Sequence, residues 1–214
     1  MFERISRRER VDLLIAWAAI SLAFTIIFIA PGGLLISGIP RKDPLTAILF
    51  FGISAVTVGI GFVFHEMAHK FTAMHFGYWA EFRKDDSMLL VAVAMAALVG
   101  VVFAAPGATV IYSKSPFGGG LGRKENGVIS AVGPATNILL CIPFALILIF
   151  TGGMPGLLFY IGLIGLQVNA MLAAFNMLPI SILDGRKILA WNIWVFLILF
   201  IAAFGMVYAS LTLF

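Results

Sequence analysis

Six long apolar stretches decide the solvent in which this chain folds. Residues 11–30, 45–64, 88–105, 127–150, 156–175 and 188–214 each reach about the 18–20 apolar residues that carry a helix across a bilayer. Charged residues make up 11% of the chain and hydrophobic ones 62%, with a mean hydropathy of +1.08. A soluble domain carries roughly 25% charged residues. In hydrocarbon every backbone N–H and C=O must be satisfied internally, which leaves helices as the spanning element for stretches this long. The expected fold is an all-α polytopic membrane protein.

The formal charge of +4 and pI near 9.5 would suggest nucleic acid for a soluble chain. Here the basic residues read as partners of lipid headgroups, and no nucleic-acid role is expected. Arg4, Arg7, Arg8 and Arg10 flank the first stretch and predict a cytoplasmic N-terminus. That stretch runs past the length of a signal-peptide core and has no small-residue cleavage site, so it reads as a retained anchor. Cys141, the single cysteine, falls within a predicted span and reads as a small packing residue.

Ionisable groups inside spans cost about 2.5–3.5 kcal/mol each on insertion scales and mark functional sites. Two segments break the apolar pattern: residues 61–70, at the end of the second stretch, and 176–185, at the end of the fifth. The first contains His65-Glu66-Met-Ala-His69. On a helix, residues four apart lie one turn along the axis and about 40° apart, so both imidazoles can reach one tetrahedral zinc. Glu66 points about 100° round, placed to take a proton from water and not to bind the metal. Zinc lowers the pKa of water towards ~7 and makes it a nucleophile for a peptide carbonyl. By composition, a chance match is on the order of one in a thousand for a chain this long. The alternative is a helix end whose His and Glu face headgroups.

A catalytic zinc has three protein ligands and a water. His75 would complete a spacing close to that of the metzincins, but Thr72 stands where their glycine turns the chain back to the metal. On an unbroken helix His75 lies about 15 Å along the axis from His65. Asp184 is the stronger candidate. Two neutral imidazoles, one carboxylate and hydroxide sum to zero charge with Zn²⁺, which a low-dielectric site tolerates best. The alternative for Asp184 is pairing with Arg186 or Lys187 at the interface.

These residues together resemble the site-2 protease family of zinc intramembrane metalloproteases. His65-Glu66-Met-Ala-His69 is similar to its zinc helix, and Asn176-x-x-Pro179-x-x-x-Leu183-Asp184-Gly185 to its second motif. Gly133-Pro134-Ala-Thr-Asn137 resembles the Gly-Pro motif that opens an intervening core helix. Asn169, seven residues before Asn176, also has a counterpart in many members. The resemblance implies one zinc per chain held by His65, His69 and Asp184, with Glu66 as general base. It implies cleavage of substrate proteins in or near their transmembrane helices. It further implies that Asn176 and Asn169 help hold the substrate backbone or oxyanion. For Asn176 an ordinary interhelical hydrogen bond is the alternative; for Asn169 and Asn137 it is the favoured reading. Pro179 lacks an N–H, so a kink is expected where the second motif sits. The likeness covers roughly residues 46–190 within a single expected membrane domain, 1–214, with no PDZ or CBS module.

The stretch 88–105 lies between the two motifs and complicates this picture. If all six stretches cross once, the zinc helix and the Asp184 helix run antiparallel and their ligands face opposite sides. If 88–112 enters and returns on one side, with Pro106-Gly107 as the reversal and 108–112 as a strand, both motifs end together. Six crossings place seven of the fourteen basic residues inside. The re-entrant scheme adds Lys114, Arg123, Lys124, Arg186 and Lys187, making twelve, and leaves only Arg41 and Lys42 outside. The positive-inside rule selects the second scheme. The expectation is therefore five true spans, a re-entrant helix/β-strand element between the motifs, and a zinc site nearer the cytoplasmic face of the cell membrane. The strand would pair with extended substrate, and the glycine-rich segment 117–122 reads as a loop.

Other classes fit less well. A zinc transporter should show paired repeat halves and acidic residues along a pathway. A non-catalytic scaffold has no need of Glu66. A CAAX-type zinc protease takes a glutamate as third ligand, and the later glutamates, Glu81 and Glu125, lie in no comparable helical motif.

Overall fold

The computed structural model describes residues 5–33, 43–102, 106–112, 120–180 and 182–213. Arg4, Arg41, Lys42, Lys114 and the first half of the glycine-rich segment 117–122 lie outside the described residues. The architecture is that of an all-α polytopic membrane protein. Among the described residues five helices are long and apolar enough to cross a membrane: α1 (Arg7–Ile29), α2 (Pro44–His75), α4 (Arg123–Thr151), α5 (Leu157–Asn176) and α7 (Ile193–Thr212). Two shorter helices, α3 (Asp86–Val99) and α6 (Asp184–Trp191), and a two-stranded sheet of β1 (Trp79–Lys84) and β2 (Gly107–Tyr112) complete it.

The helix ends follow local chemistry. Ser6 caps α1 by accepting from the Glu9 N–H at 3.1 Å. Asp43 accepts from the Thr46 N–H at 2.7 Å, and Pro44 supplies the first α2 position, where its missing N–H costs nothing. Asp85 accepts from the Ser87 and Met88 N–H groups, each at 3.0 Å, to start α3. Gly100, at φ 73°, ends it. The side chain of Glu125 turns back to the Gly122 N–H at 3.1 Å at the head of α4. With 14 residues α3 is about 21 Å long, short of the ~30 Å hydrocarbon core.

By its internal contacts the chain forms two compact units. The first comprises Met1–Ile60 and Phe82–Ala108. Within it α1 and the first half of α2 run antiparallel. Trp17 Nε1 donates to the Ala55 carbonyl at 2.7 Å, and the rings of Phe28 and Phe50 stack at 6.3 Å. Gly59 gives the indole room, since a Cβ there would lie 2.8 Å from Trp17 Nε1. Helix α3 runs alongside α1 in the same direction. At its start Glu9 accepts from the Phe82 N–H at 3.0 Å and Asp12 pairs with Arg83 at 3.4 Å. At its far end Gly100 packs on the backbone of Gly32. Six residues later the chain is back at its point of departure, where the Asp85 N–H donates to the Pro106 carbonyl at 3.0 Å. The segment thus leaves and returns at one end of α1, the helix/β-strand element expected between the motifs.

The second unit comprises Gly61–Glu81 and Thr109–Phe214. Helices α4 and α5 pack antiparallel, with Phe144 filling the place a side chain at Gly165 would take. The second half of α2 lies antiparallel to α4. A cluster of Ala173, Ala174, Met177, Ile188, Phe196 and Ala203 joins α5, α6 and α7. Lys70 is fully buried, with its Nζ 5.6 Å from the centre of the Trp79 ring.

Three local expectations change. The Gly133-Pro134 motif does not open a helix, because α4 starts at Arg123 and carries Pro134 and Pro143 inside it. The Asn176–Gly185 segment is a break and not a kink: α5 stops at Asn176, and the Phe175 carbonyl accepts from the Leu178 N–H at 3.1 Å. Asp184 therefore opens the separate helix α6 and does not end a span.

Candidate metal centre

Helix α2 presents His65 and His69 on one face, one turn apart, as their spacing requires. The break after α5 brings Asp184 to the same place. Gly185 makes this approach feasible, because a Cβ there would run into the backbone carbonyl of Met177. The two Nε2 atoms lie 3.0 Å apart. Asp184 Oδ2 is 3.5 Å from His65 Nε2 and 3.0 Å from His69 Nε2. All three residues are buried, and among the described residues they form a group able to hold a metal ion.

The surrounding hydrogen bonds fix what these atoms can do. His69 Nδ1 lies 2.6 Å from the Ile129 carbonyl, which can only accept, so Nδ1 carries a hydrogen and, in the neutral ring, Nε2 is left with the lone pair. His65 Nδ1 lies 2.5 Å from Asn137 Oδ1. The Asn137 amide has one orientation here, because its Nδ2 donates to the Gly61 carbonyl at 3.0 Å. His65 likewise keeps its hydrogen on Nδ1. Two imidazole lone pairs and a carboxylate oxygen therefore converge, an arrangement that a cation satisfies. Ligands at the ~2.0–2.2 Å distances of zinc stand about 3.4 Å apart on a tetrahedron, close to the separations seen. The residues fit zinc.

Gly133 completes the cradle on the α4 side. A Cβ at this position would lie 2.7 Å from His65 Nε2 and nearer still to His69 Nε2. Pro134, next to it, has no N–H to give the Ser130 carbonyl.

Glu66 is buried beside the cluster and outside the three-residue group. Its Oε2 accepts from the Thr109 hydroxyl at 2.8 Å. Thr109 lies on β2, so the re-entrant element delivers a residue directly to the glutamate. Lys187 Nζ stands 3.5 Å from Asp184 Oδ1. The interfacial pairing considered for Asp184 thus uses one carboxylate oxygen while the other faces the histidines.

His75 is exposed at the end of α2, edge-on to Phe76, and outside the group. Asn176 is half-buried and its Nδ2 donates to the Leu172 carbonyl at 3.0 Å. Asn169 is fully buried, its Nδ2 donating to the Gly165 carbonyl at 2.8 Å and its Oδ1 accepting from Asn137 at 3.0 Å. Glu125 accepts from the Tyr78 hydroxyl at 2.6 Å and is not part of the three-residue group. The hydrogen bond to Glu125 pushes the Tyr78 phenol above its ordinary pKa. Sequence reasoning missed Thr109 and the Ile129 carbonyl, and it read Gly133 as a helix-opening residue without its clearance for the histidines. A lone threonine in a strand gives no signal, and a backbone carbonyl gives none either.

Over 194 residues the chain is 40% identical to a protein of Methanocaldococcus jannaschii named "Putative zinc metalloprotease", and the match covers 89% of each chain. The chain belongs to this zinc metalloprotease family. No family model matches the sequence, and no solved structure matches it. Membership agrees with the chemistry of the centre: a zinc metalloprotease needs two or more neutral donors, a carboxylate base and a metal-sized gap between them.

Proposed function

We propose that this metalloprotease works within the membrane, as a site-2-type protease that hydrolyses peptide bonds in or near the transmembrane segments of other proteins. The observation that carries the reading is the burial of the His65, His69 and Asp184 donors between helices α2 and α4, both long and apolar enough to span a bilayer. Such groups are costly there without a function.

In this reading His65, His69 and Asp184 hold one zinc per chain. Zinc, when bound, supplies Lewis acidity at the scissile carbonyl and acidifies water. Glu66 takes the proton of the attacking water and passes it to the departing amine, while Thr109 holds its carboxylate in place. Asn176, at the end of α5, offers an amide to the substrate backbone or oxyanion. Substrate has to leave its helical form to be cut. Among the described residues β2 pairs only with β1, so its other edge can take an extended substrate segment as a further strand. Thr109 would set that segment beside Glu66. The partners are accordingly membrane proteins with a transmembrane helix. The protein sits in the cell membrane with its N-terminus cytoplasmic and the zinc site nearer that face.

Reconstitution into liposomes with a single-span substrate tests the reading. Wild-type protein should cut it within or next to the span, as mapped by mass spectrometry, and Glu66→Gln should not. Cuts confined to distant soluble loops, or equal cutting by the variant, would overturn it.

A further inference from the structure

A chain of amides leads away from His65 and ends on backbone. Asn169 Nδ2 donates to the Gly165 carbonyl at 2.8 Å within α5. Asn169 Oδ1 then accepts from Asn137 Nδ2 at 3.0 Å, across to α4. The same Nδ2 donates to the Gly61 carbonyl of α2, leaving Asn137 Oδ1 for His65 Nδ1 at 2.5 Å. Both asparagines are fully buried.

The polarity of this chain is forced. A carbonyl only accepts, so Gly165 sets the Asn169 amide one way round, and Asn169 and Gly61 together set Asn137. Reversing either amide would put N–H against N–H or oxygen against oxygen in a buried place, with a penalty for each unmade bond. Gly61 is part of the device: a Cβ there would stand 2.8 Å from Asn169 Oδ1. The asparagine occupies the space that the absent side chain leaves.

We propose that Asn137 and Asn169 are positioning residues for the metal ligand His65, holding its ring in one orientation and its hydrogen on Nδ1 so that Nε2 is always offered to the metal. The proposal rests on the zinc reading above and gives Asn169 a task inside the protein in place of substrate contact. His69 gets the same service from the Ile129 carbonyl alone, a fixed backbone group. His65 depends on two side chains and three helical segments. Partners of this kind change metal affinity by about 10–100-fold when removed from histidine ligands.

The test is zinc affinity by chelator competition on the purified full chain in detergent, with the Co²⁺ absorption spectrum and thermal unfolding of the metal-free protein alongside. Asn137→Leu should weaken zinc by about 10–100-fold. Asn169→Leu should weaken it less, and its effect should vanish in the Asn137→Leu background, since the second link acts through the first. Asn137→Asp keeps an acceptor for His65 and should bind zinc more tightly than Asn137→Leu. Gly61→Ala, which removes no hydrogen-bonding group but presses on Asn169, should weaken zinc as well and covers the case of a leucine variant that does not fold. Unchanged affinity and Co²⁺ spectrum in the variants, with lowered unfolding temperature only, would make the asparagines plain helix–helix contacts and overturn the proposal. Wild-type protein that binds no zinc would remove the reading beneath it instead, so the two failures are told apart.

Discussion

The hydroxyl of Thr109 lies 2.8 Å from Glu66 Oε2, joining the strand β2 to the carboxylate that follows His65. A hydrogen bond to a charged group contributes about 1.5–3 kcal/mol. Thr109→Val keeps the shape and removes the donor. It should lower kcat by roughly tenfold or more while leaving zinc content unchanged, and Thr109→Ser should recover most of the loss. Steady-state cleavage of a fluorogenic transmembrane substrate measures this. Loss of zinc in Thr109→Val would place the residue in the metal site and not beside the base.

Glu66 itself should be dispensable for the metal and indispensable for turnover. Glu66→Gln is expected to reduce the rate by about 10²–10⁴-fold, the range for removal of a general base, with zinc bound as in the wild type. Metal analysis and cleavage rates on the same preparation check both halves.

Gly133 leaves no room for a side chain beside the two Nε2 atoms. Gly133→Ala should therefore push the histidines apart or fill the metal position, lowering zinc affinity by more than about tenfold. Chelator competition measures it, and an unchanged affinity would show that α4 yields at this point.

The return of the chain from Gly100 to Pro106 beside Asp85 predicts which residues share a side of the membrane. In a Cys141→Ala background, cysteines at Arg8, Asp86, Arg123 and Arg186 should label from the cytoplasmic face, and one at Met154 from the opposite face. Labelling of the Arg123 position with that of Met154 would contradict the re-entrant arrangement.

The most chemical parts of the centre were the most legible in the sequence. The four-residue spacing of His65 and His69 forces a shared helix face, and a carboxylate followed by Gly185 in an apolar setting has few other uses. The positive-inside rule, applied to the basic residues, pointed to a turn-back between the motifs, and the Asp85 N–H does donate to the Pro106 carbonyl. What stayed hidden depends on three-dimensional proximity. Gly133 reads as part of a helix-opening motif until α4 is seen to begin ten residues earlier, and then it is a clearance for two imidazoles. Nothing in the spacing of Asn137 and Asn169 reveals that they bond each other, since the antiparallel register of α4 and α5 is set by packing such as Phe144 on Gly165. Proline chemistry correctly marked position 179 as a disturbance, but whether a helix bends or stops there depends on what caps it. Here the Leu178 N–H turns back to the Phe175 carbonyl and the helix stops.

Zinc content of the purified full chain in detergent, wild type beside Asp184→Ala and His75→Ala, decides whether His65, His69 and Asp184 hold the metal. About one zinc per chain is expected in the wild type and in His75→Ala, and none in Asp184→Ala. Zinc retained without Asp184 and lost without His75, or none in any of the three, would contradict this ligand set.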